Sequence, residues 1–368
     1  MKVPAAISQK KQMYATIKLA AAAVIIAVVV ITSLISSSPG STTGSTNSVS
    51  TSSSLLRIGY FPILNHAQAL IGLANGDFQR AIGNNISIKP EVFDSGPPLI
   101  EALFANQIDL AYVGPNPTIN GYIVSDGKAL KVISGASSGG TIFVVRNDSG
   151  IKTPKDFANK RFATPQVGNT QDVALRMYLL ENGYKTKDQG GNVDVISAQI
   201  SDIFTLMLKK QIDGAWVPEP WGAKLVKEAG GRIFLDERSL WPHGEYVTAN
   251  IIARADYLKQ NPGTVEKFLA ANVDETNWIN AHRSDAMRIF NEKLKALTGH
   301  SIQSDELSQA WSRIKFTYDP IKSSLFTSAQ GALKIGFLRS PPNLTGIYDL
   351  SLLNGVLEHK GLTSISEK

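Results

Sequence analysis

The apolar pattern of the chain changes character at residue 54. Leu19 to Ile35 is a run of 17 residues without a charge, built from Ala, Val, Ile and Leu with Thr32 and Ser33 near its end. Ser36 to Ser54 then holds ten Ser and four Thr among 19 residues. Such a segment cannot bury apolar surface and reads as a flexible linker. From Leu55 onward short β-like runs alternate with helical segments. Leu55 to Tyr60 is followed by a Pro-containing loop and a helix, Ala67 to Ala74, which stops at Asn75-Gly76. A strand over Ile86 to Phe93 and a helix opened by Ser95 with Pro97 and Pro98 come next, and the Ile-Asp-x-Ala-aromatic-Val segment makes a third strand.

That series occurs twice. Gln107 to Val113 (QIDLAYV) returns as Gln211 to Val217 (QIDGAWV), with five of seven positions identical and an offset of 104. At the same offset Arg57 lies over Arg161 and Asn65 over Asn169. The second series runs from a strand over Arg161 to Ala163 to a helix over Asp172 to Glu181, a strand over Val193 to Ile196 and a helix opened by Ser201. The period is too long for a solenoid. Strand, helix, strand, helix, strand indicates a parallel sheet in each of two similar α/β lobes.

Ala129 to Ser134 and Thr141 to Arg146 read as strands around the loop-like SGASSGG, and Tyr246 to Arg254 as the β-rich return. Helices over about Gly263 to Ala281 and Ser284 to Leu297 follow, then a polar stretch with little legible pattern. A chain that leaves one lobe, builds the other and returns makes two crossings, which form a hinge beside a central cleft.

Charge refines the picture of the N-terminus. Residues 1 to 54 carry Lys2, Lys10, Lys11 and Lys18 and no acid, leaving 33 basic against 31 acidic residues in the rest. All four lysines precede the apolar run, so the positive-inside rule places residues 1–18 in the cytoplasm and everything after Ile35 outside. At 17 residues the 19–35 segment reaches the lower limit for a membrane span. An uncleaved anchor is favoured over a signal peptide, because the run is long for an h-region and no A-x-A site follows. Either reading exports the protein. No basic block interleaves with aromatics, which argues against a nucleic-acid partner. The absence of Cys from the sequence excludes a disulfide framework, a thiolate metal site and a lipidated cysteine.

In open α/β sheets ligands sit beyond the carboxyl ends of the strands, where helix N-termini point. Those places are Asn65-His66, Gly114 to Pro117, Ser137 to Gly140, Gly168 to Gln171 and Pro218 to Trp221. They are dominated by neutral donors, backbone amides and aromatics. Free N–H groups at the positive ends of helices suit a small anion or zwitterion. Trp216 and Tyr112 are candidate apolar walls. Glu219 is awkward beside an anion, since it must either meet an amine on the ligand or point elsewhere. Asn65 and Thr170 also have a simpler role open to them as helix caps. Gly135 to Gly139 fits G-x-S-x-G around Ser137, but its sequel TIFVVR reads as a strand where a nucleophile elbow needs a helix. The five histidines are too dispersed for an obvious metal cluster.

Together GYFPILNHAQALIGLANGDF, VGPNPTINGY, SSGGTIFVVR, ATPQVGNTQDVALR and DGAWVPEPWGAKLV closely resemble the nitrate/sulfonate/taurine class of substrate-binding proteins of ABC importers, most of all the aliphatic-sulfonate type. The resemblance covers about residues 55–358. It implies a two-lobed type II periplasmic-binding-protein fold, with residues 55–142 and 249–368 in one lobe and 143–248 in the other. It implies a receptor that does no chemistry itself and delivers its ligand to a membrane permease driven by an ATPase; a monomer suits such docking, and no cofactor or metal is expected. The family's pocket loops fall at Asn65, His66, Asn116, Ser138, Gly139, Gly140, Gly168, Asn169, Thr170, Trp216 and Glu219. An enzyme on the same fold, a lyase or a pyrimidine-synthase-like protein, is the alternative.

Overall fold

A computed structural model describes residues 54–366 of the chain. The expected tail (1–18), apolar segment (19–35) and linker (36–54) lie outside the described residues, except that Ser54 opens the first strand. Among the described residues no helix is long and apolar enough to cross a membrane.

Two mixed sheets organise the fold. Strands β1 (Ser54–Tyr60), β2 (Ile86–Val92), β3 (Leu110–Val113), β4 (Leu130–Gly139), β10 (Val247–Arg254) and β11 (Ile314–Phe316) form one sheet, in the order β11-β4-β10-β3-β1-β2. Strands β5 (Thr141–Arg146), β6 (Arg161–Thr164), β7 (Asp194–Ser197), β8 (Gly214–Pro218) and β9 (Gly231–Asp236) form the other, in the order β7-β6-β8-β5-β9. In each sheet a parallel trio, β2-β1-β3 or β7-β6-β8, is extended by an antiparallel strand, β10 or β5.

The 104-residue repeat is visible in the register. Ile58 and Gly59 stand opposite Leu110 and Ala111, and Phe162 and Ala163 stand opposite Gly214 and Ala215. The repeated Arg and Asp have a shared local cause. Asp109 accepts the backbone N–H of Arg57 at 2.9 Å, and Asp213 accepts that of Arg161 at 2.8 Å. Each carboxylate locks its strand end to the neighbouring strand; Asp109 also holds the guanidinium groups of Arg57 and Arg254.

The stretch SGASSGG is strand and not loop, which corrects the sequence reading. β4 runs unbroken through Ser134 to Gly139, pairing with β10 and β11. Small residues are required there because the 318–320 backbone crosses it closely. A Cβ on Gly135 would lie 2.1 Å from the carbonyl oxygen of Asp319. Ser137 therefore sits within a strand, with its hydroxyl 3.1 Å from that of Thr248, and not on a nucleophile elbow.

The chain passes from one sheet to the other at Gly139-Gly140, where φ values of +74° and +73° favour glycine. It returns through residues 237–246. One core lies between the larger sheet and the helices Ala67–Asn75, Pro262–Ala281, Arg283–Thr298 and Ser351–His359. A second holds residues of both sheets together, and a third is an aromatic cluster in the smaller lobe. The illegible C-terminal stretch supplies β11 and the helices Ser304–Trp311, Lys322–Lys334 and Ser351–His359.

Candidate functional site

Three helices start at the boundary between the lobes: Gly96–Phe104, Pro115–Val124 and Thr170–Glu181. Their N-cap residues are Ser95, Gly114 and Asn169, and none gives a side-chain cap hydrogen bond. The Ser95 hydroxyl instead meets the Gln166 side chain across the boundary. Asn169 spends its amide on Gln171, at 3.3 Å. The loop before Thr170 is held from below: Asp172 accepts the Gly168 N–H at 2.9 Å and the Thr164 hydroxyl at 3.1 Å, and pairs with Arg176 at 3.0 Å. Gly168, at φ +77°, opens onto the cleft, and a Cβ there would meet nothing within 4 Å.

The lobes meet tightly here. Gly96 packs against Pro117 and Asn169, and Gly114 against Thr170 and the carbonyl of Thr248. Thr248 in turn accepts from the Asn65 amide at 2.9 Å, and Asn65 also donates to the Gly139 carbonyl at 2.9 Å. Ser138 accepts the Tyr246 N–H at 3.1 Å, and Gly140 accepts the Glu219 N–H at 2.9 Å. Asn65, Asn116, Ser138, Gly139, Gly140, Gly168, Asn169 and Thr170 thus gather along one seam between the lobes.

Several buried polar atoms in that seam have no hydrogen-bond partner: Asn65 Oδ1, Asn116 Nδ2 and Thr170 Oγ1; both amide atoms of Asn250, two residues beyond Thr248 on β10, also lack one. Leaving such groups buried and unpaired costs about 1–3 kcal/mol each. A ligand that supplied their partners would recover that cost. Two cavities flank the contact. One of about 260 Å³ is lined by Asn116, Thr170, Tyr178, Trp241 and Tyr246 among others. The other, of about 400 Å³, is lined by Asn116, Pro117, Gly168, Val173 and Phe337 among others. Neither Asn65 nor Thr170 caps a helix through its side chain, so the simpler role open to them at the sequence level does not hold.

Four expected ligand contacts point elsewhere. Trp216 is fully buried in the aromatic core, stacked on Phe143 at 5.2 Å, with its indole N–H donating to Glu237 at 2.6 Å. Tyr112 likewise donates to Asn272 at 2.6 Å inside the larger lobe. Alternation along β3 and β8 turns both rings inward, so neither is a pocket wall. His66 accepts the Phe61 N–H through Nδ1 at 2.9 Å, and burial pushes its imidazole down to about 3. It is a neutral packing residue. Glu219 pairs with Arg313 at 2.7 Å and accepts the Ala223 N–H at 2.9 Å. Burial pushes its carboxyl up, against the pull of Arg313. Its charge is engaged within the protein.

Thr248 and Asn250 were missed at the sequence level. The signal was present as two polar residues at alternate positions among the apolar residues 247–253 of β10. Glu237 was missed as well. It lies on the second crossing, accepts from Thr141 at 2.6 Å on the first, and so ties the two together. Burial raises its carboxyl, opposed by the hydrogen bonds from Thr141 and Trp216. Among the described residues no group of three or more His, Cys, Asp or Glu could hold a metal ion.

The sequence profile of the NMT1-like family matches residues 50–291. A Brucella abortus protein named as a binding protein is 28% identical over 68% of this chain and 76% of its own length. The taurine-binding periplasmic protein of Escherichia coli is 24% identical over 56% of this chain and 61% of its own length. Among solved structures, the alkanesulfonate-binding protein of Xanthomonas axonopodis pv. citri bound to MOPS superposes with a TM-score of 0.67. It is 15% identical, covering 80% of this chain and 98% of that one, a likeness of fold.

Proposed function

The chain belongs to the NMT1-like family, and from that premise we propose that it is an extracytoplasmic solute receptor. It binds a small anion or zwitterion between its lobes and hands it to an ABC permease powered by an ATPase. The observation that carries this reading is the set of unpaired buried groups on Asn65, Asn116 and Thr170, drawn from both lobes to one seam, two of them in the first turn of a helix. Neutral donors and helix ends hold an anion without an ion pair, which suits a receptor that must release it. It is a binding protein and not an enzyme. Its relatives are named for binding, and Ser137, the one candidate nucleophile, is locked in a strand.

The 19–35 segment would tether the receptor to the membrane, with residues 36–54 as a spacer and a single copy docking on the permease. Mass spectrometry of the mature N-terminus tests the tether: a start near Ser36 rules it out. Calorimetry of the full chain against taurine, methanesulfonate, nitrate, bicarbonate and uncharged analogues tests the reading itself. Saturable binding of an anion without turnover is expected. Binding restricted to uncharged or purely cationic ligands overturns it.

A further inference from the structure

We propose that Asn85 and Asn343 carry N-linked glycans, and that the fold selects these two among the N-x-[ST] triplets of the chain. The inference is independent of the ligand. It rests only on the export of the chain proposed above, because such triplets are modified in exported proteins.

Four triplets occur, at Asn85, Asn116, Asn147 and Asn343. Proline is forbidden in the middle place, and Pro117 occupies it after Asn116. That blocked triplet lies in the seam, with its asparagine buried. The three permitted ones lie at the opposite ends of the sheets. Asn85 immediately precedes Ile86, which opens β2 in the parallel trio. Asn147 immediately follows β5, whose Val145 stands opposite Gly214 at the start of β8. Asn343 belongs to the segment whose Ile347 carbonyl accepts the Val132 N–H, at 2.8 Å, near the start of β4. Lys131 beside it is level, through Ala253, with Leu110 at the start of β3. Ligands of such sheets meet the carboxyl ends of the strands, so a glycan at any of the three would leave the cleft open.

Access separates those three. The reaction uses the asparagine Nδ2 and reads the hydroxyl two residues on. Asn85 and Ser87 are both exposed beside a turn, and no hydrogen bond occupies either side chain. The space around that turn is open: a Cβ on Gly83 would meet nothing within 4 Å. Asn343 and Thr345 are also both exposed. Asn343 Oδ1 accepts the Thr345 N–H at 3.1 Å, an Asx turn that leaves Nδ2 free. Asn147 differs. Its Nδ2 donates to the Gly231 carbonyl at 3.4 Å. Ser149 is exposed to only 6%, and its hydroxyl donates to the Arg146 carbonyl at 2.7 Å and accepts the Ile151 N–H at 3.3 Å. The fold withdraws the hydroxyl that the reaction requires.

The donor is an oligosaccharide joined through its reducing-end C1 to a lipid phosphate. The bond from C1 to the phosphate oxygen breaks, and that oxygen keeps the electron pair as the lipid phosphate leaves. A bond from C1 to Nδ2 forms, and Nδ2 gives up one proton. Nothing is oxidised or reduced. At Asn85 the glycan has a second consequence. β2 is the outermost strand of its sheet, and a bulky hydrophilic chain at its start would obstruct pairing of that edge with another copy.

The test is glycopeptide mass spectrometry on the full chain isolated from its own cells, beside labelling of intact cells with a membrane-impermeant amine reagent. Peptides holding Asn85 and Asn343 should carry a saccharide, and the peptide holding Asn147 none. Ser87→Ala and Thr345→Ala should each remove the sugar two residues before while the asparagine stays, and Thr345→Ser should keep it. Asn85→Gln and Asn343→Gln should each lower the intact mass by one glycan, and serve if the alanine variants do not fold. Bare Asn85 and Asn343 in a chain that the reagent labels, or that is found in the medium, overturns this inference while the receptor reading stands. A bare chain that stays inside the cell and unlabelled overturns export as well. Sugar at Asn147 as complete as at Asn343 overturns selection by the fold.

Discussion

Gly114 and Thr170 face each other across the boundary between the lobes, so closely that a Cβ on Gly114 would lie 2.3 Å from the Thr170 hydroxyl oxygen. Gly114 has an ordinary φ of −68°, so alanine there brings a steric conflict without backbone strain. Gly114→Ala should hold the lobes apart, weaken ligand binding at least about tenfold and raise the radius of gyration of the liganded state in solution scattering. Thr170 Cβ would stand at a tolerable 3.4 Å, so Thr170→Ala added to Gly114→Ala should return affinity to that of Thr170→Ala alone. A double variant no better than Gly114→Ala would mean the contact does not control closure.

Gly135 meets backbone, not side chain, and backbone cannot turn aside. With the Asp319 carbonyl oxygen 2.1 Å from a Cβ there, Gly135→Ala must push the 318–320 segment off β4. Overpacking of this kind costs about 1–3 kcal/mol, and a fall of several degrees in melting temperature is expected. An unchanged melting temperature would mean the crossing segment moves freely.

The duplicated architecture was legible because its determinants are local. Arg57 with Asp109, and Arg161 with Asp213, mark strand ends through hydrogen bonds that any chain can form from those residue types. Asn116 and Thr170 were legible because they follow strand ends at helix starts. Trp216 was misread because a strand end does not disclose which way its side chains alternate, and the Glu237 acceptor that fixes the indole comes from the later crossing. SGASSGG was misread because its small residues serve a crossing segment 184 positions away, where Tyr318 is bonded by Ser134. Long-range packing of that kind leaves no local pattern.

His66 gives acid conditions a defined effect. Its imidazole is held down to about 3 by burial, against about 6.5 in an unfolded chain. Below pH 6.5 the unfolded chain takes up a proton that the folded protein refuses, so stability should fall from there toward pH 3, by up to about 1.4 kcal/mol per pH unit. His66→Asn keeps an acceptor for the Phe61 N–H but cannot titrate. In denaturant melts the stability gap between wild type and variant should narrow as pH drops from 7 to 4. A constant gap would mean the imidazole titrates normally.

Glu275 works at the opposite limb. Burial, and after it the Asp77 carboxylate, push its carboxyl up to about 8 despite Arg80. The folded state keeps a proton that the unfolded chain releases above about 4.5. That contribution is complete below about pH 4.5 and is lost as pH rises through 8. Glu275→Gln stays neutral throughout, so its melting temperature should decline less than that of wild type between pH 5 and 8. Parallel curves would rule the effect out. Glu275 lies on the helix Pro262–Ala281, away from the cleft, so ligand affinity should not change.

Thr170 separates binding from stability most cleanly. Thr170 lines the smaller cavity, and its buried hydroxyl, packed beside Gly114, makes no hydrogen bond within the protein. Removing it by Thr170→Ala therefore sacrifices no existing bond and relieves an unpaired buried group, so the unliganded melting temperature should hold or rise by a few degrees. A hydrogen bond to a charged group is worth about 1.5–3 kcal/mol, so ligand affinity should fall about tenfold to a hundredfold, with Thr170→Ser restoring most of it. Asn65→Ala provides the contrast. That amide holds Gly139 and Thr248 at 2.9 Å each, so its loss should lower unliganded stability by about 1–3 kcal/mol. If Thr170→Ala instead destabilised the free protein and left affinity intact, the hydroxyl would be a packing group and the anion would have to bind elsewhere along the seam.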